Sequence, residues 1–129
     1  MSDHVIAVLP GDGTGKEVAI EAQRILDTIQ EHTNHGFEQT VIQCGGQLYL
    51  DTGEEWAEGS FDFCRDEADA IFMGAIGQPG ARLPNGDLAG GSVILGMRSG
   101  LDLYANVRPI RLYEGCLLYT SDAADDVRG

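Results

Sequence analysis

Apolar residues in the first half of the chain follow two spacings, one continuous and one helical. Val5–Leu9 is an unbroken apolar run, which is typical of a parallel strand covered on both faces. From Lys16 to about Glu31 the apolar residues recur at helical intervals, and this predicts an amphipathic helix. Phe37–Cys44 alternates between apolar and polar residues and predicts a second strand, which Gly45-Gly46 ends.

The second half of the chain continues the alternation of helix and strand. Trp56–Arg65 has a helical pattern interrupted at Gly59, and Ala68–Met73 is a third apolar strand. Residues 77–91 are rich in glycine and are predicted to form a long loop, a kind of segment that often carries function.

The remaining pattern predicts one more helix followed by an extended segment. Ser92–Arg98 has helical spacing, and Leu103–Leu112 reads as extended chain because Pro109 disfavours a helix just before it. Strands that alternate with helices predict an α/β fold, with a partial, mostly parallel sheet and flanking helices.

The glycine-rich stretch PGDGTGKEV, at residues 10–18, lies where a nucleotide-binding loop would be expected, between a strand and a helix. A Walker loop needs glycine at position 10 and Ser or Thr at position 17, and a dinucleotide fingerprint needs glycine at position 16. The chain instead has Pro10, Glu17 and Lys16. We therefore interpret the glycines at 11, 13 and 15 as a tight turn, with Lys16 and Glu17 opening a solvent-facing helix.

Composition excludes some partners. The net charge of −13 argues against a nucleic-acid partner, which needs a basic surface. No apolar stretch approaches the ~20 residues of a membrane span, so no membrane association is expected. The three cysteines have neither metal-site spacing nor an even number for disulfides. Cys44 and Cys64 are therefore expected to be reduced thiols of a cytoplasmic protein.

Three segments together resemble one enzyme family. They are IAVLPGDGTGKEV at 6–18, DAIFMGAIGQP at 69–79 and ILGMRSGLDLYANVRPIRLY at 94–113. In order and spacing they are similar to the start of the β-decarboxylating dehydrogenases, which include 3-isopropylmalate, isocitrate, homoisocitrate and tartrate dehydrogenases. The resemblance covers residues 5–115, and MRSGLDLYANVRP is its most specific part. It implies an isopropylmalate dehydrogenase-like α/β fold that is not a standard Rossmann domain.

The resemblance also implies an activity for the full-length parent protein. That activity is the NAD-dependent oxidative decarboxylation of 3-isopropylmalate, a 2-hydroxy acid of leucine biosynthesis, by a homodimer that uses Mg²⁺ or Mn²⁺. In the family, the metal-binding aspartates and the catalytic Tyr and Lys lie further along the chain. Residues 1–115 are therefore expected to be an N-terminal part without catalytic or metal-binding residues, and the aspartates at 12, 87 and 102 are not assigned in their place.

Two arginines match the family's substrate-binding positions. Arg98 and Arg108 fall in the pattern LR…NxRP, and a planar guanidinium makes two charge-assisted hydrogen bonds to a carboxylate. A turn from helix to strand would bring both side chains over one site. The alternative is that both are surface arginines or ion-pair partners in an acidic chain. Arg111 matches a more variable basic position of the family and is expected to be a surface residue.

Substrate choice is expected to depend on the residues just before Arg98. By the resemblance, Ile94 and Leu95 pack against the isopropyl group, whereas isocitrate enzymes have polar residues in this turn. Ser92 matches such a serine position, but Ile94 cannot hydrogen-bond a carboxylate. The alternative for Ile94 and Leu95 is core packing of a short helix. Gly91 stands where some isopropylmalate enzymes have an acid, which leaves the exact substrate open.

One loop resembles the segment that lies beside the nicotinamide end of the cofactor. It comprises Gly74, Ala75, Ile76, Gly77, Gln78 and Pro79. Glycines there would let the main chain approach a flat ring closely. The alternative is an ordinary exit from a strand into a loop.

Two further readings of the function remain open. Within the family, the substrate could be tartrate, malate or isocitrate. Outside it, the chain could be a non-catalytic α/β module that binds an acid through Arg98 and Arg108.

The last residues do not resemble a continuation of the family. Residues 116–126 match the translation of a transposon-type sequencing adapter, so residues 116–129 are expected to be a non-native tail.

Overall fold

A computed structural model of the protein describes residues 2–111. The elements, in chain order, are β1 (Ser2–Leu9), α1 (Thr14–His32), β2 (His35–Val41), α2 (Gly46–Thr52), α3 (Ser60–Asp66), β3 (Ala70–Met73) and α4 (Gly91–Gly100). The predicted α/β class is confirmed. Within the described residues, no helix is both long enough and apolar enough to cross a membrane.

The three strands form a parallel sheet in the order β2-β1-β3. β1 is central, and its Val8 is in register with Val41 of β2 and with Phe72 of β3. The apolar run in β1 is explained by this position, because a central parallel strand has helices on both faces.

Successive residues of β1 alternate between two separate cores. Ile6 and Val8 pack on one face with Ala19 of α1. Ala7 and Leu9 pack on the other face, where the buried partners come from the segment after β2, from α3 and from α4; they are Cys44, Cys64, Val93 and Met97. The sheet is therefore the middle layer of three.

The region between β2 and β3 differs from the sequence-based prediction. No element was predicted for residues 47–55, yet α2 begins at Gly46. The predicted helix over Trp56–Arg65 is wrong at its start, because α3 begins only at Ser60. Trp56 forms an antiparallel bridge with Cys44 instead, and Gly59 takes a left-handed conformation with φ of 81°. The interruption predicted at Gly59 is thus where the helix begins.

The other elements match their predictions within a few residues, and the predicted loop is confirmed over residues 77–90, because α4 begins at Gly91. Residues 103–111 form neither a helix nor a strand. They are exposed, so the predicted extended segment has no pairing partner within the described part of the chain. Residue 112 and the predicted tail at 116–129 lie outside the described residues.

Candidate functional site

The carboxyl ends of the three strands meet at one edge of the sheet because all three are parallel. From β1 the chain runs through α1 to β2 on one side, and then crosses to β3 on the other side. α1 covers one face of the sheet, whereas α3 and α4 cover the other. In open α/β sheets ligands bind beyond the carboxyl ends, where the connections diverge in this way. Here that point lies beyond β1 and β3.

The turn after β1 packs closely against the main chain of the segment after β3. Gly11 has φ of 72°, and a side chain on it would collide with the carbonyl of Ala75. A side chain on Gly15 would collide with main-chain atoms of Pro10 and Ala75. The two glycines are therefore required by close main-chain approach, as a tight turn predicts. Lys16 and Glu17 are exposed at the start of α1, as expected.

Asp12, in the same turn, forms hydrogen bonds to two other segments at this edge of the sheet. It is 2% exposed. Its carboxylate accepts hydrogen bonds from the main-chain N–H of Gly46 at 2.8 Å, Gln47 at 2.9 Å and Gly77 at 2.8 Å. The first two are free N–H groups at the start of α2, a helix that has no capping side chain of its own. Asp12 therefore caps α2 and holds the loop after β3.

The pKa of Asp12 is lowered by this environment. Burial by itself raises it, but the N–H donors of Gln47, Gly46 and Gly77, together with the charge of Lys16, favour the ionised form more strongly. Asp12 is thus a carboxylate held by main-chain donors. No role for it was predicted, because its partners lie 34 to 65 positions away and leave no local pattern.

The predicted cofactor segment, Gly74–Pro79, leaves β3 at this edge. Ala75, Gly77 and Pro79 are exposed, and Ile76 and Gln78 are half-buried. Gly77 has φ of 146°, and no atom lies within 4 Å of the position where its side chain would be. The segment therefore presents open main chain at Gly77, and this fits the close approach of a flat nicotinamide ring.

Helix α4 begins near the same junction. Glu55 accepts hydrogen bonds from the main-chain N–H of Gly90 and, at 3.4 Å, from that of Ser92. A carboxylate at this end of a helix is favoured by the free N–H groups and by the helix dipole. A side chain on Gly90 would collide with Ile76 of the cofactor segment. The start of α4 is thus tied to both Glu55 and Gly74–Pro79.

The side chains of α4 divide into a buried and an exposed set. Val93 and Met97 are buried in the core, whereas Ile94 is half-buried and Leu95 is 62% exposed. Leu95 thus takes no part in the core formed by the described residues, and its predicted contact with the substrate stays a prediction. Arg98 is exposed in the last turn. It lies three residues after Leu95 and four after Ile94, so all three share one side of the helix.

The two candidate arginines are not joined by any contact within residues 2–111. Arg98 is on α4, and Arg108 is exposed in the irregular segment after it. Neither guanidinium forms an ion pair with another described residue. The alternative in which the two arginines are ion-pair partners is therefore not supported by the described residues. Their predicted convergence over one substrate stays a prediction.

The described residues include two buried thiols and no cluster of metal-binding side chains. No group of His, Cys, Asp and Glu among the described residues could hold a metal ion. Cys44 lies near the junction, but burial raises the pKa of its thiol to about 11, and Cys64 is raised in the same direction. Both are free and buried. A thiol that stays protonated is a poor nucleophile, so neither cysteine is assigned a chemical role.

Comparison with known proteins shows which family the chain resembles. The sequence model of the family described as isocitrate/isopropylmalate dehydrogenase matches residues 5–128. A 3-isopropylmalate dehydrogenase of Thermotoga maritima is 39% identical over 125 residues, which are 96% of this chain and 35% of that protein. One of Aquifex aeolicus is 38% identical over 128 residues, 98% of this chain and 34% of that protein.

A solved structure shows the same similarity. The apo form of a β-decarboxylating dehydrogenase from Thermococcus kodakarensis superposes with a TM-score of 0.60 at 31% identity, covering 78% of this chain and 27% of that one. The chain thus spans about a third of the length of the curated relatives it matches. The family resemblance in the three segments is confirmed. The chain belongs to the isocitrate/isopropylmalate dehydrogenase family.

Proposed function

We propose that the protein containing this chain oxidises and decarboxylates 3-isopropylmalate, using NAD and Mg²⁺ or Mn²⁺, in leucine biosynthesis. The names of the relatives from Thermotoga maritima and Aquifex aeolicus support this substrate. We further propose that it is a cytoplasmic homodimer, and the free thiols of Cys44 and Cys64 support a reducing compartment.

The observation that carries the proposal is the exposed side of α4. Leu95 and Ile94 form an apolar surface, and the exposed Arg98 lies one turn further along. A 2-hydroxy acid with an apolar branch and carboxylates matches this combination of an apolar wall and a guanidinium. A further carboxylate facing Ile94 would have no hydrogen-bond donor there, and this disfavours an isocitrate-like substrate.

Each site residue has a proposed part in binding. Arg98 and Arg108 hold the acid through charge-assisted hydrogen bonds, with their planar forks fixing its orientation. Ile94 and Leu95 contact the branched side chain and exclude water from it. Gly74–Pro79 holds the nicotinamide end of NAD, which when bound accepts a hydride from the substrate. The described residues do not fit a metal site, so the ligands of the proposed Mg²⁺ or Mn²⁺ would come from other residues of the complete protein.

Kinetics on the complete protein test this function. We expect NAD-dependent turnover with a higher kcat/KM for 3-isopropylmalate than for malate, tartrate or isocitrate in the presence of Mg²⁺. A higher kcat/KM for one of the other acids would mean that the protein has another activity of the family. Binding of the acid without turnover would favour the non-catalytic module.

A further inference from the structure

We propose that Glu55 is a specificity-determining residue, whose carboxylate occupies the start of α4 and excludes acids that carry a carboxylate on the branch facing Ile94. The inference rests on the proposed oxidation of a branched 2-hydroxy acid and goes beyond it by naming a residue that rejects a competing substrate. It makes selection against isocitrate a matter of charge, separate from the apolar contact of Ile94 and Leu95.

Main-chain contacts bring Glu55 to the start of α4. Its carbonyl accepts a hydrogen bond from the N–H of Gly45 at 2.7 Å, and the next residue, Trp56, forms the antiparallel bridge with Cys44. Gly45 in turn lies beside Gly90, since a side chain on Gly90 would come within 3.8 Å of the Cα of Gly45. The main chain of Glu55 is therefore fixed next to the residue that precedes α4.

The carboxylate of Glu55 takes the N–H groups that an anion would use at this helix end. It accepts from the N–H of Gly90 and, at 3.4 Å, from that of Ser92. The first turn of α4 contains no acidic residue of its own. Free N–H groups and the helix dipole make the start of a helix favourable for a negative charge. Here a carboxylate of the protein itself already occupies that position.

One side of α4 presents three different chemical groups in order. The N–H of Ile94 donates to the carbonyl of Gly90 at 3.4 Å, so Gly90 belongs to the first turn. Gly90, Ile94 and Arg98 are four residues apart and therefore follow one side of the helix. Successive members are about 6 Å apart along the axis, at 1.5 Å per residue. Along this side Glu55 contributes a negative charge, Ile94 an apolar surface and Arg98 a positive charge.

This order distinguishes acids that differ only in their branch. Malate, 3-isopropylmalate and isocitrate share a 2-hydroxy dicarboxylate, and they carry no branch, an isopropyl group and a carboxymethyl group, respectively. When Arg98 holds a shared carboxylate, the branch lies against Ile94, on the side toward Glu55. A carboxymethyl group then brings a second negative charge toward Glu55, whose N–H partners are already used. Like charges brought together in a binding site suppress the wrong partner.

Steady-state kinetics of Glu55→Gln in the complete protein test this role. Glutamine keeps an oxygen that accepts from the N–H groups but removes the charge. We expect kcat/KM for isocitrate to rise about tenfold or more relative to malate, because the opposing charge is gone. The ratio of 3-isopropylmalate to malate should stay the same, because the isopropyl branch carries no charge.

Glu54→Gln is the matched control. Glu54 is an exposed acid one residue earlier in the same segment, so its substitution makes the same change in net charge and should leave both ratios unchanged. An isocitrate-to-malate ratio that does not rise in Glu55→Gln would overturn the role of Glu55 while leaving the proposed function intact. A wild-type protein that prefers isocitrate to 3-isopropylmalate would overturn the proposed function as well.

Amide hydrogen exchange on the wild-type complete protein gives a second measurement that does not require a variant to fold. At neutral pH the Gly90 amide should exchange about tenfold or more slowly than in an unstructured chain, although it precedes the helix, because Glu55 holds it. Rapid exchange at Gly90 would show that Glu55 does not occupy the start of α4, and it would contradict the inference.

Discussion

At Arg98, one substitution can distinguish the effect of the planar guanidinium from the effect of its positive charge. Replacing it with lysine keeps the positive charge but loses the planar fork that binds a carboxylate through two hydrogen bonds. For Arg98→Lys in the complete protein we expect a higher KM and a lower kcat for the substrate acid. The combined loss should be roughly 1.5–3 kcal/mol, the contribution of a hydrogen bond to a charged group.

Steady-state kinetics measure this loss, and Arg24→Lys is the matched control. Arg24 is an exposed arginine on α1 that pairs with Glu21, far along the chain from the site. Unchanged kinetics in Arg98→Lys would remove this arginine from the substrate site. The same comparison applies to Arg108.

Ile94 and Leu95 are the residues expected to select the substrate. Replacing either with serine takes away an apolar wall, so 3-isopropylmalate should lose roughly 1–3 kcal/mol of its advantage over malate. The measurement is the ratio of kcat/KM for the two acids. Leu50→Ser is the control, since Leu50 is an exposed leucine on α2. If the ratio does not change, the two residues do not face the substrate.

At the scale of elements, helix α2 depends on a cap from outside its own segment. The ionised carboxylate of Asp12 accepts from its first N–H groups, and the pKa of Asp12 is lowered in the folded protein. A lowered folded pKa means that this stabilisation is fully present above the ordinary carboxyl pKa of about 3.9 and is lost as the pH falls below it. Acid should therefore weaken the hold on α2 and on the loop at Gly77.

This predicts a pH-dependent difference between wild type and Asp12→Asn. At neutral pH the variant should unfold at a lower urea concentration, and the difference should shrink as the pH falls below about 4. Protonated Asp12 then resembles asparagine in charge. Urea midpoints of the complete protein at pH 7 and near pH 3 measure the effect, with Asp87→Asn as control. A difference that stays constant over this range would mean that the charge of Asp12 does not stabilise the fold.

The elements also show where sequence patterns suffice. β1 and α1 were predicted closely, because continuous and helical spacing report directly on burial at both faces of a strand and at one face of a helix. The sequence pattern did not predict α2, and it predicted that α3 begins at Trp56, four residues before its actual start at Ser60. Both helices begin after a glycine in a conformation with positive φ. The first N–H groups of α2 are capped by the distant Asp12, and Trp56 pairs with Cys44 instead of joining α3.

At the scale of the whole molecule, the described chain leaves much apolar surface uncovered. Tyr104 is 100% exposed and Ile110 is 93% exposed, and β2 and β3 are the outer strands of the described sheet. Each large apolar side chain contributes roughly 1.5–3 kcal/mol when buried, and the net stability of a domain is only about 5–15 kcal/mol. We therefore expect residues 1–115 on their own to be barely stable and to lack dehydrogenase activity.

A urea melt and an NADH assay on residues 1–115 check this expectation, with the complete protein as the reference. The fragment should unfold without a sharp transition and show no turnover. A cooperative transition together with metal-dependent turnover would show that these residues carry more of the enzyme than we infer.

The tail is tested at the level of the gene. Residues 116–126 read as translated adapter sequence, so an independent read of the coding DNA should depart from the present one at codon 116. The family match extends to residue 128, which makes this boundary worth sequencing directly. A second read that keeps Cys116–Asp126 would establish those residues as native.

The sequence by itself determined the α/β order, the buried first strand, the family and the placement of Arg98 one turn after Leu95. These properties depend on spacing between residues that are near each other in the chain, so they can be read without coordinates. Only the tertiary structure decided that the glycine-rich turn packs against the Gly74–Pro79 segment and that Asp12 caps α2. The carboxylate and its donors are up to 65 positions apart, and a hydrogen bond depends on distance and direction in space, which local spacing does not encode.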